Sequence, residues 1–250
     1  MPHRTAMLWN IERLDLLAKL TPKELTQLKD NGAMVMLPRQ TERYPSEDTT
    51  PSIYILMQGY CKFMTTNAEG KRFTMSILKA GDLVGNIIDT DMDTDPDSLD
   101  TFLEAVSDCH FLQLESTLFA NILAQNPAVH LRVLQHYQGK SRLFQRKLSD
   151  LLFKDVHARI AQLFLDVLFD YGDECPYAFG LQHDICLKHH EIAELIGASR
   201  PVTSLALGDF QKTDLIHKHD GFICIVDLDA LRSAAEHGAK AVRKRFLVSA

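Results

Sequence analysis

Four potential metal ligands lie close together in the last third of the chain: His183, Cys186, His189 and His190, with Cys175 upstream. Imidazole and thiolate groups are typical zinc ligands. The pair of cysteines two residues apart that marks many zinc knuckles is missing here. The spacing therefore favours strand and helix-cap residues over a metal site.

Two further histidines, His130 and His136, fall in a stretch of helical periodicity and offer possible axial ligands for a haem. The alternative is a pair of solvated side chains on a helix surface. The chain has no nucleophile–base constellation, phosphate-binding glycine loop or metalloprotease motif. We therefore predict a binding protein rather than an enzyme.

The most specific pattern is a helix-turn-helix at residues 190–207. Gly197 provides the left-handed backbone of a sharp turn, Ser199 an N-cap, and Pro201 a first-turn residue of the second helix. Residues 216–226 add the hairpin of a winged variant. The alternative is an ordinary helical hairpin, but this combination favours a helix that enters the major groove of DNA.

The side chains of the second helix are expected to divide between two faces. Val202, Leu205 and Phe210 would pack back on the first helix, which leaves Arg200, Thr203, Ser204 and Asp209 more outward. The predicted DNA-binding set is Ser199, Arg200, Thr203, Ser204, Lys188, Lys212 and Lys218.

The charge of the chain opposes DNA binding. The formal net charge is −6, and residues 156–250 contain ten Lys and Arg against thirteen Asp and Glu. Binding therefore requires the cations to cluster on one face, and the candidates are Arg200, Lys188, Lys212, Lys218 and the basic run at 240–245.

Different periodicities predict the elements that position this motif. Residues 10–31 have helical spacing, with an N-cap at Thr21 and an acid at Glu24, which predicts two short helices. Residues 33–114 form short alternating runs separated by turn signals, which predicts a compact β-barrel or roll. The acidic stretch at 89–100 is expected to be an exposed loop.

One long helical segment is predicted from residue 127 to about residue 171. Apolar and small residues recur within it at alternating spacings of three and four, at Leu134, Tyr137, Ser141, Phe144, Leu148 and Leu151. Such a heptad seam favours a parallel coil between two copies of the chain. The alternative is a helix that packs on its own barrel.

These segments resemble the CRP/FNR family of bacterial transcription regulators along nearly the whole chain. Residues 191–200 (EIAELIGASR) resemble its helix-turn-helix signature, and residues 152–161 (LFKDVHARIA) resemble the passage from its dimer helix. Residues 53–59 (IYILMQG) and 81–85 (GDLVG) look like strands and turns of its cyclic-nucleotide-type sensor domain.

The resemblance implies an α+β fold: a double-stranded β-helix or jelly-roll sensor barrel at 1–126, a dimerisation helix at 127–155 and a winged helix-turn-helix at 156–250. It implies a homodimeric transcription regulator under allosteric control by a small effector. Its partners would be palindromic promoter DNA, a second copy and RNA polymerase. Arg200 matches the family arginine that reads a guanine through O6 and N7.

The chain departs from the family members that bind cyclic AMP. Where they have a glycine–glutamate pair it has Gly85-Asn86, and their arginine and small hydroxyl residue fall near Leu99-Asp100 in the acidic loop. An anionic phosphate would meet like charge there and no clamp. We therefore predict a different effector, in a pocket near Val84, Gly85, Asn86 and Tyr137.

Cofactor-containing members offer two further comparisons. The iron–sulfur members have clustered N-terminal cysteines, but the first cysteine here is Cys61, so no such cluster is expected. The C-terminal half also resembles the haem-containing carbon-monoxide sensor of the family. Pro2 resembles an N-terminal ligand of that sensor, but residues 85–89 lack its haem-binding cysteine and histidine. A haem-based gas or redox sensor remains an alternative.

A third alternative is an interaction protein of this fold that does not bind DNA, because Leu205 stands where relatives often carry a second base-reading arginine.

The apolar stretches are interrupted by charges before about 18 residues, so no membrane span is predicted. Five scattered cysteines do not resemble a disulfide framework, which predicts a cytoplasmic protein.

Overall fold

The computed structural model describes residues 14–45, 48, 50–67, 69–85, 101–174, 181–183, 187–219 and 222–249. The chain divides into two compact units, Met1–Leu143 and Phe144–Ala250. Among the described residues, no helix has both the length and the apolar character needed to cross a bilayer.

The helices of the first unit begin with polar caps that the sequence predicts. A short 3-10 turn at Asp15–Leu17 precedes helix α1 (Pro22–Asn31). The Glu24 backbone N–H donates to Thr21 Oγ1 at 3.3 Å, and the Thr21 N–H donates to Glu24 Oε2 at 2.7 Å. This reciprocal pair is a capping box, so the predicted start of α1 is confirmed.

Two more helices follow these strands: α2 (Ser116–Gln125) and α3 (Pro127–Phe153), and the boundary between the two units falls within α3. Asn126 lies between them, and its Oδ1 accepts the N–H groups of Ala128 and Val129 at 3.2 Å. Its Nδ2 donates to Glu24 Oε2 at 2.9 Å. Asn126 therefore caps α3 and ties its start to α1.

Eight strands of the first unit form two antiparallel sheets. The first sheet has the order β1 (Ala33–Leu37), β8 (Cys109–Glu115), β3 (Ser52–Gln58) and β6 (Leu83–Gly85). The second has the order β2 (Glu42–Arg43), β7 (Thr101–Ala105), β4 (Cys61–Thr66) and β5 (Arg72–Leu78).

Apolar side chains cover both faces of the first sheet. One face packs against the second sheet, with a core of Leu37, Tyr54, Leu56, Cys61, Leu78, Val84, Leu103, Ala105, Cys109 and Phe111. The other face packs against α1, α2 and the first turns of α3, with Ile53, Ile55, Leu112 and Leu114 opposite Leu25, Leu28, Phe119, Ile122 and Val129. The prediction of a β-barrel or roll within an α+β fold is confirmed.

The second unit contains the end of α3 and, among its described residues, five further helices: α4 (Val156–Tyr171), α5 (His189–Ile196), α6 (Arg200–Lys212), α7 (Leu228–His237) and α8 (Ala239–Ser249). Its antiparallel sheet has the order β11 (Ile216–His219), β12 (Phe222–Ile225), β10 (Leu181–His183) and β9 (Gly172–Glu174). β11 and β12 form the predicted hairpin, and residues 220–221 of its turn lie outside the described residues.

The long helical segment is broken, contrary to prediction, between α3 and α4 at Lys154-Asp155. The Asp155 carboxylate accepts the N–H groups of Ala158 and Ala239, both at 2.9 Å. Gly238 has φ +60°, and a Cβ there would lie 2.3 Å from Asp155 Oδ1. Asp155 thus caps α4 and is held by a contact from the far end of the chain, which local periodicity does not reveal.

Candidate nucleic-acid interface

The turn between α5 and α6 has the geometry that the sequence predicts. Gly197 is left-handed, with φ 64° and ψ 42°, and the Ala198 N–H donates to the carbonyl of Ala193 at 3.0 Å. Arg159 of α4 supports the turn, because its Nη1 donates to the carbonyl of Ile196 at 2.7 Å. A helix-turn-helix with a fixed turn is therefore confirmed.

The two helices pack through the small and apolar residues of α5. Its buried side chains are Ile192, Ala193, Leu195 and Ile196. Phe210 of α6 is fully buried, as predicted. The apolar face of α5 fixes the orientation of α6, so that one side of α6 is held away from the core.

Ser199 occupies the N-cap position of α6 with an extended backbone, φ −77° and ψ 147°. Its side chain makes no capping hydrogen bond, contrary to expectation. Its carbonyl instead accepts both the Thr203 N–H and the Thr203 Oγ1–H, each at 3.0 Å. The Ser199 hydroxyl is exposed at the start of the helix.

The predicted division of α6 into two faces is partly wrong. Thr203 is fully buried, whereas Leu205 is 72% exposed and Val202 is 46% exposed. Thr203 tolerates burial because the Ser199 carbonyl accepts its hydroxyl proton. The buried residues of α6 are Thr203, Ala206, Leu207 and Phe210, at spacings of three, one and three. Thr203 is therefore not available to a ligand.

Basic side chains of α6 and β11 lie near His189, the first residue of α5. Arg200, Lys188 and Lys218 are exposed, and they belong to α6, the residue before α5, and β11. His189 lies among them, and its Nδ1 is 2.9 Å from Ser204 Oγ. Burial, together with the charges of Lys218 and Arg200, lowers the pKa of His189. We call His189, Arg200 and Lys218, with Lys188, the basic cluster.

Sequence spacing did not identify His189 as part of this cluster, because it appeared there only as a metal-ligand candidate. In the fold, His189 at the start of α5 lies near Arg200 of α6 and Lys218 of β11. A cluster of this kind neutralises phosphates locally, even though the unit has a net negative charge.

The remaining predicted cations are not all part of the basic cluster. Lys212 is exposed at the far end of α6, about 18 Å along the helix from Arg200. Arg245 of the basic run donates from Nε to the Thr213 carbonyl at 2.7 Å and from Nη1 to Asp227 Oδ2 at 2.5 Å. The Ala230 N–H and Arg245 together lower the pKa of Asp227. Arg245 therefore stabilises the second unit and is not offered to a ligand.

Apolar side chains remain exposed along the predicted seam of α3. Leu134, Tyr137, Phe144 and Leu148 are all exposed, Leu148 by 50%, and Ser141 is exposed as well. Leu151 is half-buried. Leu131, Leu152 and Phe153 extend the exposed set. Only Val129 and Val133, near the start of α3, are buried apolar residues of this helix.

The predicted effector residues lie at the edge of the first unit. Val84 is buried, and Gly85 has φ +113°, where a Cβ would meet the Ser52 carbonyl oxygen at 2.3 Å. Tyr137 Oη of α3 donates to the Gly85 carbonyl at 3.4 Å. Asn86, Leu99 and Asp100 lie outside the described residues.

An ion pair beside Gly85 was not predicted from the sequence. Asp82 is buried, and Lys140 Nζ donates to its Oδ2 at 2.7 Å. Asp82 Oδ2 also accepts the Lys79 N–H at 2.9 Å. Because Asp82 and Lys140 are 58 residues apart, local spacing gives no signal of the pair.

The two candidate haem ligands have different environments. His130 is exposed, whereas His136 Nε2 lies 3.9 Å from Asp82 Oδ1, and burial lowers the pKa of His136. Cys186 and the His183 side chain lie outside what the structure describes. In the described part of the chain, no three potential ligands among His, Cys, Asp and Glu form a metal-binding group.

Comparison with known proteins gives a consistent result. Residues 158–234 match the family of Crp-like helix-turn-helix domains. The chain is 24% identical over 233 residues to a CRP-like cAMP-activated global transcriptional regulator of Mycobacterium tuberculosis, and the match covers 93% of this chain and 98% of that protein.

Solved structures share the fold over most of the chain. A CooA variant from Carboxydothermus hydrogenoformans superposes with a TM-score of 0.71 at 20% identity, covering 91% of this chain and 95% of the other. A protein from Eubacterium rectale, described as a transcriptional regulator of the crp/fnr family, superposes with a TM-score of 0.65 at 16% identity, covering 89% and 98%.

Proposed function

The chain belongs to the CRP/FNR family of transcription regulators, and we propose that it acts as a homodimer that binds a two-fold-symmetric promoter site under the control of a small effector other than cyclic AMP. The observation that carries the proposal is the basic cluster at the start of α6, in a helix-turn-helix whose turn is fixed by Gly197 and Arg159. Regulators of this family are not enzymes, and we assign no catalytic residue.

The role in DNA binding follows from the position of Arg200. It is the first residue of α6 and is exposed, so its guanidinium can reach a base edge when the helix end enters the major groove. Lys188 and Lys218 are exposed as Arg200 is, and we assign them to phosphates, with a further hydroxyl group from the exposed Ser199. Ser204 Oγ lies 2.9 Å from His189 Nδ1, so its hydroxyl is engaged within the protein. Lys212, at the far end of α6, would contact phosphate further along the duplex.

The homodimer is supported by the exposed seam of α3. A helix with several large exposed apolar side chains at heptad spacing is stabilised when a second copy covers them. A parallel pair would place two recognition helices on one side of the DNA, and two-fold symmetry in the protein implies a palindromic site. RNA polymerase is then the expected partner at the promoter.

The effector is proposed to act where the barrel meets α3 within the first unit. Tyr137 belongs both to the seam and to the predicted effector region, because its hydroxyl donates to the Gly85 carbonyl. Lys140 and Asp82 add a second link between the barrel and α3. An effector that changes these contacts would shift the equilibrium between DNA-competent and incompetent dimers.

The prediction for DNA reading concerns Arg200→Ala. A bidentate contact from arginine to guanine contributes about 1–3 kcal/mol, so two half-sites lose about 2–6 kcal/mol of specific binding. Non-specific binding should stay nearly constant. Titration of labelled promoter and scrambled duplex at one salt concentration measures both. Arg232→Ala, which removes an exposed arginine from α7, is the matched control. An equal loss on both duplexes would make Arg200 a phosphate contact and contradict base reading.

The prediction for the dimer concerns Leu148→Glu. A carboxylate at this seam position would have to be buried without a partner, so the variant should be monomeric in light scattering. Ser149→Glu adds the same charge one residue away, outside the seam, and should leave the dimer intact. A Leu148→Glu variant with the mass of a dimer would show that the seam is not the interface.

The prediction for the effector concerns cyclic AMP. With Asn86 and Asp100 at the positions of the expected phosphate clamp, and with Lys140 already paired to Asp82, cyclic AMP should give no binding heat in calorimetry. The same protein preparation should bind promoter DNA. The absence of binding heat then reflects the effector pocket and not an inactive preparation. Micromolar binding of cyclic AMP would contradict this part of the proposal.

A further inference from the structure

We infer that Leu205 is a second base-reading residue of α6, and that it selects a thymine in each half-site through the 5-methyl group of that base. The inference rests on the proposed DNA binding and assigns a specificity to a surface that the basic cluster does not explain. It follows from where Leu205 lies on α6, from the glycine beside it, and from the chemistry of the major groove.

The exposed side of α6 is a broad arc. The residues Thr203, Ala206, Leu207 and Phe210 face the core. At about 100° per residue, the opposite side of the helix presents four residues in this order around the axis: Ser204, Gly208, Pro201 and Leu205. Leu205 lies about 7.5 Å along the axis from Arg200, which is about two base-pair steps. Leu205 lies about 140° around the helix from Arg200, and both side chains are exposed outside the core-facing residues, so a groove that receives the start of α6 can contact both.

Gly208 is unexplained by the protein's own packing. It lies inside a helix, where glycine is among the least favourable residues. Its φ is not positive, and a Cβ added there would meet no atom within 4 Å. Neither conformation nor space requires glycine at this position. Because Gly208 is three residues from Leu205 on the same arc, the bare backbone allows another molecule to approach closely beside Leu205.

The polar side chains on either side of Leu205 are already engaged. Ser204 Oγ is 2.9 Å from His189 Nδ1, and Asp209 Oδ2 is 3.0 Å from His157 Nε2. Leu205 is 72% exposed and is the most exposed apolar side chain of α6. The middle of the exposed arc is therefore apolar, between Arg200 at one end and Lys212 at the other.

The major groove offers one apolar group to such a surface. Guanine, cytosine and adenine present only donors and acceptors there, whereas thymine adds its 5-methyl group. An isobutyl side chain forms no hydrogen bond with any base, so the thymine methyl is the one group in the groove that it can bury with a gain in free energy. Leu205 therefore favours an A·T pair in a fixed register with the base that Arg200 reads.

The first test is selection from a randomised duplex library by the full-length protein. Wild type should enrich a thymine at one fixed position in each half-site, and Leu205→Ala should lose that preference while it keeps the guanine. Val202→Ala removes another exposed apolar side chain of α6, from the edge of the arc, and should select the same site as wild type. An unchanged thymine preference in Leu205→Ala would overturn the inference.

The second test removes only the methyl group. Replacing the selected thymine by uracil should weaken wild-type binding about fourfold per half-site, or about 15-fold for a symmetric site, the value of one buried methyl group. Leu205→Ala should bind both duplexes equally. Equal wild-type affinity for the thymine and uracil duplexes would overturn the inference. This comparison uses the wild-type protein alone, so it does not require a variant to fold.

A substitution of Gly208 provides an independent test. Gly208→Ala should raise the thermal midpoint, because alanine favours the helix, and should weaken binding to the selected duplex. A more stable variant with unchanged DNA affinity would show that nothing approaches Gly208. If wild type enriches no sequence at all, the proposed DNA binding fails together with this inference, whereas enrichment without a methyl effect rejects the role of Leu205 alone.

Discussion

Helix α3 has more apolar side chains than the described residues of one copy cover. Val129 and Val133 are buried against the first unit, and the seam residues that follow remain exposed. Exposed apolar area of this kind is normally stabilised by association. The proposed dimer satisfies that requirement, and the same pairing would duplicate the helix-turn-helix motif. The functional proposal therefore depends on how α3 is covered.

In the second unit, the local arrangement of charged side chains matters more for DNA binding than the net charge. Residues 156–250 have a net negative charge, yet the contacts of Arg245 and Asp209 show where several charges are used internally. The cations that remain exposed near the start of α6 form the basic cluster. Their effect on a polyanion depends on that clustering, since screening weakens charges more than about 10 Å away.

Local signals in the sequence predicted the parts of the fold that short-range physics determines. The capping box at Thr21 and the left-handed turn at Gly197 need only residues within a few positions. Periodicity alone missed the break at Asp155, where the family resemblance places a domain boundary, because the Asp155 carboxylate is also held by Ala239, which is 84 residues away. The strand β9 is likewise defined by its pairing with β10, a separate stretch of the chain.

The site was predicted less well than the fold. Arg200 was identified correctly as an exposed residue at the start of α6, but Thr203 and Leu205 were assigned to the wrong faces. By polarity alone, Thr203 is expected on the exposed side of α6 and Leu205 on the buried side. The packing of α6 gives the opposite arrangement, and the Ser199 carbonyl accepts the hydroxyl proton of the buried Thr203. The reversal leaves an apolar residue beside the basic cluster, a combination that residue type alone does not predict.

Hydroxyl-radical footprinting of the full-length protein on a selected promoter duplex tests the central claim most directly. A dimer with two recognition helices should protect two equivalent patches on one face of the DNA, about one helical turn or 10 base pairs apart. Single-patch protection, or uniform protection without helical phasing, would contradict a symmetric reader built on α3 and α6.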